Sequence, residues 1–304
     1  MTPGVTAPAV RARKGAAEPL VMVTAYDAPG ARIADAAGVD MILVGDSLAM
    51  VVLGYDDTLA VTVDDMAHHT AAVARAKPRP LIIADLPWLS YHLGVEDAVR
   101  NAARLIRAGA QAVKLEGGRK RLPVIEAIID AEIPVMGHIG LTPQSVHVMG
   151  GFKVQGKDVD GAEELVADAR ALADAGCFAI VLEGVPDTVA ARVTAAVPVP
   201  TIGIGAGPAC DGQVLVFHDV LGLEDRVLPK FVRRYASLKA DAVAALRAYA
   251  GDVRARRFPT DAESYHVPAE VVRQLDAARG SRPPAPLPVP AAPAEQVVGL
   301  YGRG

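Results

Sequence analysis

The chain has 304 residues, of which 51% are hydrophobic and 28 are glycine, so it is long enough to bury one large catalytic core. Its formal net charge of −4 excludes the general attraction to phosphate backbones that nucleic-acid-binding proteins show. The cysteines, Cys177 and Cys210, lack a CxxC spacing, which excludes a disulfide framework and a zinc cluster and favours a reducing cytoplasm. Residues 20–23, the first apolar run, are too few for a signal core or a membrane span, and we expect no membrane association.

One pattern occurs four times along the chain. A helix-like stretch ends in small residues or glycine and then runs into a short apolar strand. Three of these strands finish on a carboxylate, at Asp46, Glu116 and Glu183, and the fourth finishes at Gly205. An internal repeat of this kind indicates stacked βα units around a parallel sheet.

Eight short apolar runs bounded by Gly, Pro or Asp predict strands that are buried on both faces. In chain order they cover residues 20–25, 41–44, 81–84, 112–115, 134–137, 178–182, 200–204 and 214–217. Helical patterns lie between them, including one capped by Thr62, one over residues 95–108 and a final long one over residues 231–253. Eight strands with interleaved helices favour an α/β protein with one (β/α)₈ TIM barrel over an open doubly wound sheet.

The two ends of the chain differ from this body in composition. Residues 1–17 are small and charged, and residues 267–304 are rich in Pro, Ala and Gly. Such segments bury too little apolar surface to order themselves, so we predict flexible ends around a catalytic barrel over residues 18–266. The C-terminal tail is interpreted as an extension, with a tether for a partner as the alternative.

Carboxylates follow the ends of several predicted strands. Asp46, Asp85 and Glu116 each come directly after an apolar run, where any one of them alone could cap a helix or a turn. Because the carboxyl ends of barrel strands share one rim, the three acids together would repel each other unless a cation lies among them. Oxygen ligands of this kind suit Mg²⁺, and these acids are therefore the candidate metal ligands.

Three further side chains are candidates for the same rim. Lys114 lies inside an apolar strand with Glu116 on the same face, which fits either a structural ion pair or a cation that receives a substrate carboxylate. His138 follows the fifth strand, as either a core histidine or a donor to a substrate oxygen. Glu183 follows the sixth strand and is either a structural acid or a general base.

Two loops complete the pattern. The glycine-rich stretch over residues 203–213 predicts a tight turn, with an anion-binding loop as the alternative. It lacks the third glycine and distal acid of a dinucleotide fingerprint, which excludes NAD. The long, polar, glycine-hinged loop over residues 141–158 predicts a lid over the rim.

Long strings spread over the chain closely resemble the ketopantoate hydroxymethyltransferase family. They are VTAYD (23–27), LVGDSLAMVVLGYDDTLAVT (43–62), ADLPW (84–88), VKLEGG (113–118), GHIGLTPQSVHVMGGFKVQGK (137–157), LEGVP (182–186) and IGIGAGPACDGQVLVFHD (202–219). The resemblance runs from about residue 18 to His266. Family members usually have Pro at Ala60 and often His at Tyr55, and neither departure involves a candidate catalytic residue.

The resemblance implies an enzyme of pantothenate biosynthesis that transfers a one-carbon unit from 5,10-methylenetetrahydrofolate to 3-methyl-2-oxobutanoate. The small-molecule partners of this enzyme would be the 2-oxoacid and the folate. The resemblance also implies that the enzyme is a cytoplasmic homodecamer. The implied Mg²⁺ ligands are Asp46 and Asp85, with Glu116 nearby or ligating through water, and the implied proton acceptor is Glu183. The implied 2-oxoacid contacts are Asp46, Ser47, Asp85, Lys114 and His138.

Two other functions stay open at this point. A Mg²⁺-dependent 2-oxoacid lyase or decarboxylase on the same barrel would use the same acids and would turn over without folate. A non-catalytic anion-binding scaffold would keep the glycine loop and would tolerate the loss of Glu183.

Overall fold

A closed barrel of eight parallel strands forms the body of the computed structural model, which describes residues 4–225 and 227–278. Each strand pairs with its neighbours in chain order, and the eighth strand pairs with the first. The strands are β1 (Leu20–Thr24), β2 (Met41–Val44), β3 (Leu81–Asp85), β4 (Ala112–Glu116), β5 (Val135–Gly140), β6 (Ala179–Glu183), β7 (Thr201–Ile204) and β8 (Gly212–Leu215). The predicted barrel and its eight strands are therefore confirmed.

Twelve helices are found in the described part of the chain. They are α1 (Ala7–Arg11), α2 (Ala28–Ala36), α3 (Leu48–Val51), α4 (Val63–Arg75), α5 (Val95–Arg107), α6 (Leu122–Asp130), α7 (Val146–Met149), α8 (Val159–Asp174), α9 (Asp187–Ala196), α10 (Phe217–Leu221), α11 (Leu238–Arg254) and α12 (Ala269–Ala278). Short 3₁₀ turns lie at Arg119–Arg121, Pro143–Ser145 and Asp261–Glu263. The predicted cap of α4 is present, since the Thr62 hydroxyl accepts from Asp65 N while the Asp65 carboxylate accepts from Thr62 N.

Alternation along the strands divides the core into two layers. On β2, for example, Met41 and Leu43 belong to the cluster inside the barrel, and Ile42 and Val44 belong to the larger cluster between the strands and the helices. The inner cluster also includes residues that precede the last residue of the other strands, such as Leu81, Ile83, Ala112, Met136, Ala179, Ile202 and Val214. Apolar side chains therefore fill the lower part of the barrel, and the upper part is left for polar ones.

The N-terminal segment forms structure where the composition predicted flexibility over residues 1–17. In its described part, α1 places Ala7 and Val10 in the inner apolar cluster of the barrel. Lys14 Nζ lies 2.9 Å from Asp211 Oδ2 and donates to Thr194 O. A segment of small and charged residues is thus ordered because two of its apolar side chains, Ala7 and Val10, are buried in a core that the barrel provides.

The last strand and the last predicted helix begin at other positions than the hydrophobic pattern indicated. Strand β8 begins at Gly212, where a Cβ atom would lie 2.5 Å from Leu20 O, so glycine allows the close pairing with β1. Helix α11 begins at Leu238, seven residues after the predicted start, and Phe231 instead packs over Gly205. Between β7 and β8 the chain makes a glycine turn, with positive φ at Gly205 and Gly207, and no helix is described there.

The chain divides into two compact units, Met1–Val243 and Ala244–Gly304. The first unit holds the barrel, and the described part of the second holds the end of α11, the Asp261–Glu263 turn and α12. This division does not coincide with the predicted boundary at residue 266, and residues 279–304 of the predicted tail lie outside the described residues. Within the described ranges, none of the helices combines the length and the apolar character that crossing a membrane requires.

Candidate active site

A cavity of about 990 Å³, here called the rim cavity, opens at the carboxyl-terminal end of the barrel strands. All seven side chains predicted for the site line it: Asp46, Ser47, Asp85, Lys114, Glu116, His138 and Glu183. Apolar side chains from the surrounding loops form much of the remaining wall, including Leu141, Phe152, Val154, Val185, Val227 and Phe231. The structure therefore brings every candidate residue into one cavity.

Strand alternation explains why the charged side chains point into the barrel. Asp85, Glu116 and Glu183 are the last residues of β3, β4 and β6, two positions beyond inward-facing Ile83, Lys114 and Val181. All three acids belong to their strands, whereas the hydrophobic pattern placed them directly after the strands. The parallel register places Asp85 beside Lys114, and Glu116 beside His138.

Lys114 pairs with a different acid from the one that its spacing indicated. Its Nζ lies 2.9 Å from Asp85 Oδ1 on the neighbouring strand and 3.2 Å from His138 Nδ1. Burial lowers the pKa of Lys114, but the charges of Asp85 and Glu116 outweigh burial and raise it above its usual value. Sequence spacing shows only neighbours on one strand, so it missed the partner that the barrel register supplies.

Three carboxylates around Lys114, those of Asp46, Glu116 and Glu183, hold their protons more tightly than usual because they are buried. Burial and the charge of Asp85 raise the pKa of Asp46 to about 7, and burial raises that of Glu183 to about 7. Burial and the charge of Asp46 raise the pKa of Glu116 well above its usual value. In residues 4–225 and 227–278, Lys114 is the one buried lysine or arginine, and this excess of acids favours a further cation.

His138 is a neutral imidazole in this setting. Burial and the charge of Lys114 lower its pKa well below its usual value. Its Nε2 lies 3.3 Å from Glu183 Oε2, and its Nδ1 lies 3.5 Å from Glu116 Oε1. The ring therefore lies between two acids of the cavity without adding a positive charge to it.

The loop after β2 brings Asp46 and Ser47 to the cavity. A Cβ on Gly45 would lie 2.8 Å from Ser47 Oγ, so glycine permits the tight turn in which Asp46 N donates to Asp85 Oδ2 at 3.0 Å. Ser47 Oγ lies 2.9 Å from the Tyr26 hydroxyl oxygen. Two adjacent residues thus present a carboxylate and a hydroxyl group to the same cavity.

A divalent cation fits the chemistry of this donor set. Glu116 Oε1 is buried and has no hydrogen-bond partner. Nowhere in the described part of the chain are three His, Cys, Asp or Glu side chains already arranged to hold a metal ion by themselves. An ion at this site would therefore take part of its coordination from water or substrate, as Mg²⁺ commonly does.

Sequence reasoning missed two buried residues beside the carboxylates, Gln144 and Tyr91. The loop over residues 141–158 was predicted as a lid, yet Gln144 near its start is only 6% exposed and donates to Asp46 Oδ2 at 2.8 Å. Farther along the same loop, Phe152 is 53% exposed and lines the rim cavity. Gln144 could have been noticed in the sequence, because it is a polar residue next to Pro143 within the string over residues 137–157 that resembles the family.

Solved structures of other enzymes share this fold. The chain is similar to 2,3-dimethylmalate lyase, a PEP mutase/isocitrate lyase superfamily member, with a TM-score of 0.55 and 22% identity, covering 91% of this chain and 97% of that one. It is also similar to phosphonopyruvate hydrolase in complex with oxalate and Mg²⁺, with a TM-score of 0.56 and 17% identity, covering 90% and 96%. At these identities the likeness concerns the barrel fold.

Relatives by sequence are much more similar. The 3-methyl-2-oxobutanoate hydroxymethyltransferase of Moorella thermoacetica is 59% identical over 262 residues, which cover 86% of this chain and 97% of that protein. The enzyme of the same name from Koribacter versatilis is 55% identical over 273 residues, covering 90% and 92%. The model of the ketopantoate hydroxymethyltransferase family matches residues 4–261. This chain therefore belongs to the ketopantoate hydroxymethyltransferase family, in agreement with the resemblance of its strings.

Proposed function

We propose that this protein transfers a hydroxymethyl group from 5,10-methylenetetrahydrofolate to 3-methyl-2-oxobutanoate and so forms ketopantoate for pantothenate biosynthesis. The observation that carries the proposal is one buried ammonium, Lys114, among the acids of the rim cavity, with Glu183 to one side. Several reactions could take place in such a cavity, and membership of the family favours the hydroxymethyl transfer among them.

The floor of the rim cavity suits a 2-oxoacid. Lys114 offers a positive charge to the substrate carboxylate, and the Ser47 hydroxyl and the neutral His138 ring offer hydrogen bonds. Asp46 and Asp85 would hold Mg²⁺, with Glu116 ligating through water. When bound, the ion supplies Lewis-acid polarisation of the keto oxygen, which acidifies the adjacent C3–H.

Glu183 is the proposed general base. Its pKa of about 7 leaves a large fraction of the carboxylate ionised near neutral pH, while making it a stronger base than an exposed glutamate. It takes the C3 proton of the substrate, and the electron pair of that C–H bond becomes available for attack. His138 lies 3.3 Å from Glu183 and is neutral. A positively charged imidazolium there would stabilise the ionised carboxylate and make Glu183 a weaker base.

The bond changes then balance as follows. C3 of the 2-oxoacid forms a carbon–carbon bond to the one-carbon unit, which is released from the two nitrogens of tetrahydrofolate. Water supplies the hydroxyl group, and its other proton and the C3 proton taken by Glu183 go to the two nitrogens of tetrahydrofolate. The apolar upper wall, with Phe152, Val185 and Phe231, would shield the reacting carbon from bulk water.

The same upper wall is the proposed seat of the folate. A five-carbon 2-oxoacid occupies only a small part of a cavity of about 990 Å³. Phe152 and Phe231 offer flat apolar surface for a pterin ring, and Lys230 at the cavity lining offers a charge for the carboxylates of its glutamate tail.

One assay tests the function directly. The protein is incubated with 3-methyl-2-oxobutanoate and Mg²⁺, with and without methylenetetrahydrofolate, and ketopantoate and carbon dioxide are measured. We expect ketopantoate only when folate is present. Consumption of the 2-oxoacid without folate would point to a lyase or decarboxylase, and no turnover in either case would point to a scaffold; both refute the proposal.

The family resemblance also leads us to propose a cytoplasmic homodecamer. Light scattering coupled to size exclusion measures the mass of the assembly, and we expect ten times the 31.6 kDa of one chain. A mass of one or two chains at micromolar concentration would refute the decamer.

A further inference from the structure

Gln144 contacts two of the rim carboxylates at once. Its side-chain Nε2 donates to Asp46 Oδ2 at 2.8 Å and to Leu86 O at 3.0 Å, and its main-chain N donates to Glu116 Oε2 at 3.0 Å. Asp46 comes from the loop after β2 and Glu116 from the end of β4, so Gln144 joins acids from two separate parts of the barrel.

The orientation of the Gln144 carboxamide is determined by its neighbours. The Tyr91 hydroxyl donates to Gln144 Oε1 at 2.6 Å and accepts from Glu116 N at 3.3 Å. A flipped carboxamide would place its oxygen against two acceptors, Asp46 Oδ2 and Leu86 O. Both donor hydrogens and the acceptor are therefore used in one arrangement, which holds the amide group rigidly.

Tyr91 is buried, and its ring packs against the Arg121 guanidinium group. It is 1% exposed, and the Arg121 guanidinium carbon lies 5.4 Å from its ring centroid. A chain of contacts therefore runs from a buried aromatic side chain through Gln144 to Asp46. Gln144 N bonds one oxygen of Glu116, and the other, Oε1, is buried without a hydrogen-bond partner.

We propose that Gln144 is a positioning residue, oriented by Tyr91, which holds Asp46 through its carboxamide and Glu116 through its main-chain N–H so that both acids face the ion and 2-oxoacid. This assignment rests on the proposed function. Groups that orient metal ligands in this way change metal affinity or activity by about 10- to 100-fold when they are removed. The main-chain contact to Glu116 persists in side-chain variants, so such variants test the Asp46 contact.

The test compares Gln144→Leu, Tyr91→Phe and the double variant. Binding of Mn²⁺ to each full-length protein is measured by electron paramagnetic resonance, because Mn²⁺ takes the same oxygen ligands as Mg²⁺. Exchange of the C3 proton of 3-methyl-2-oxobutanoate with deuterium is followed by NMR without folate. We expect the Mn²⁺ Kd of Gln144→Leu to rise about tenfold or more, and that of Tyr91→Phe to rise less. The Kd of the double variant should rise by less than the product of the two single effects, since Tyr91 acts through Gln144 and otherwise contacts only the main-chain N of Glu116.

Gln111→Leu is the matched control. Gln111 Oε1 accepts from Ile82 N near the amino-terminal end of β3, so its loss should lower thermal stability and leave Mn²⁺ affinity unchanged. Wild-type Mn²⁺ affinity and exchange in Gln144→Leu, with only a lower melting temperature, would overturn the proposal. If Gln144→Leu does not fold, unchanged Mn²⁺ affinity in Tyr91→Phe would overturn it. Because neither readout uses folate, a wild-type protein that exchanges the proton but makes no ketopantoate would refute the proposed transfer alone.

Discussion

Replacing Glu183 by glutamine should make the metal-free protein more stable while removing its catalysis of proton exchange. The glutamine has nearly the same shape, so the change removes charge and basicity with little loss of packing. Burial raises the pKa of Glu183 from 4.5 to about 7 against the opposing charge of Lys114. A rise of that size corresponds to about 3 kcal/mol, since each tenfold change in proton affinity is worth about 1.4 kcal/mol.

The sign of the pH dependence follows from this rise. Below pH 4.5 the carboxyl group is protonated in both the folded and the unfolded chain, and it imposes no penalty. As the pH increases, the unfolded chain ionises first, and the folded protein loses relative stability until the pH passes about 7. The stability gained by Glu183→Gln should therefore be small near pH 4.5 and reach about 3 kcal/mol at pH 8.

Unfolding of the metal-free proteins by urea at several pH values measures this difference. Exchange of the C3 proton into deuterium oxide is measured in parallel with Mg²⁺ present, and we expect a loss of about 10²- to 10⁴-fold. Glu126→Gln, an exposed site on α6, is the control and should change neither quantity. Equal stabilities of Glu183→Gln and wild type across the pH range, or normal exchange in the variant, would refute the reasoning.

Two further substitutions test the metal and folate parts of the site. Asp85→Asn should raise the Mg²⁺ concentration for half-maximal turnover at least about tenfold and should also lower thermal stability, because Lys114 loses its buried charge partner. A Mg²⁺ titration that matches wild type would count against Asp85 as a ligand. Phe231→Ala should raise the KM for methylenetetrahydrofolate about tenfold, the effect of losing some 1.4 kcal/mol of apolar contact, without changing folate-free proton exchange. An unchanged folate KM would exclude the proposed seat of the pterin.

Much of the barrel could be predicted because its strands carry a local signal. Strands covered on both faces are apolar almost throughout, and the runs over residues 41–44 and 81–84 need no distant partner to be recognised. The start of β8 at Gly212 was not predicted, because the glycine that allows close approach to β1 adds no hydrophobic signal to its strand. Asp85 and Glu116 could be assigned to one rim for a related reason: all parallel strands of a barrel end on the same side.

Contacts between distant segments could not be read from the chain in this way. The pairing of Lys114 with Asp85 depends on the register between β3 and β4, and spacing along β4 indicated Glu116 instead. Ala7 and Val10 form an ordered helix only because the inner apolar core accepts them. Gln144 enters the site because its loop folds back onto Asp46.

The sequence by itself therefore determined the eight-strand barrel, the family and seven of the residues that line the rim cavity, since each depends on local hydrophobic pattern or on residue identity in the strings that resemble the family. Only the tertiary structure decided which of these residues touch, that burial raises the pKa of Glu183, and that Gln144 and Tyr91 hydrogen-bond to Asp46 Oδ2, Glu116 Oε2 and Glu116 N. Distances and desolvation depend on segments that are far apart in the chain, and these quantities exist only once the barrel has closed.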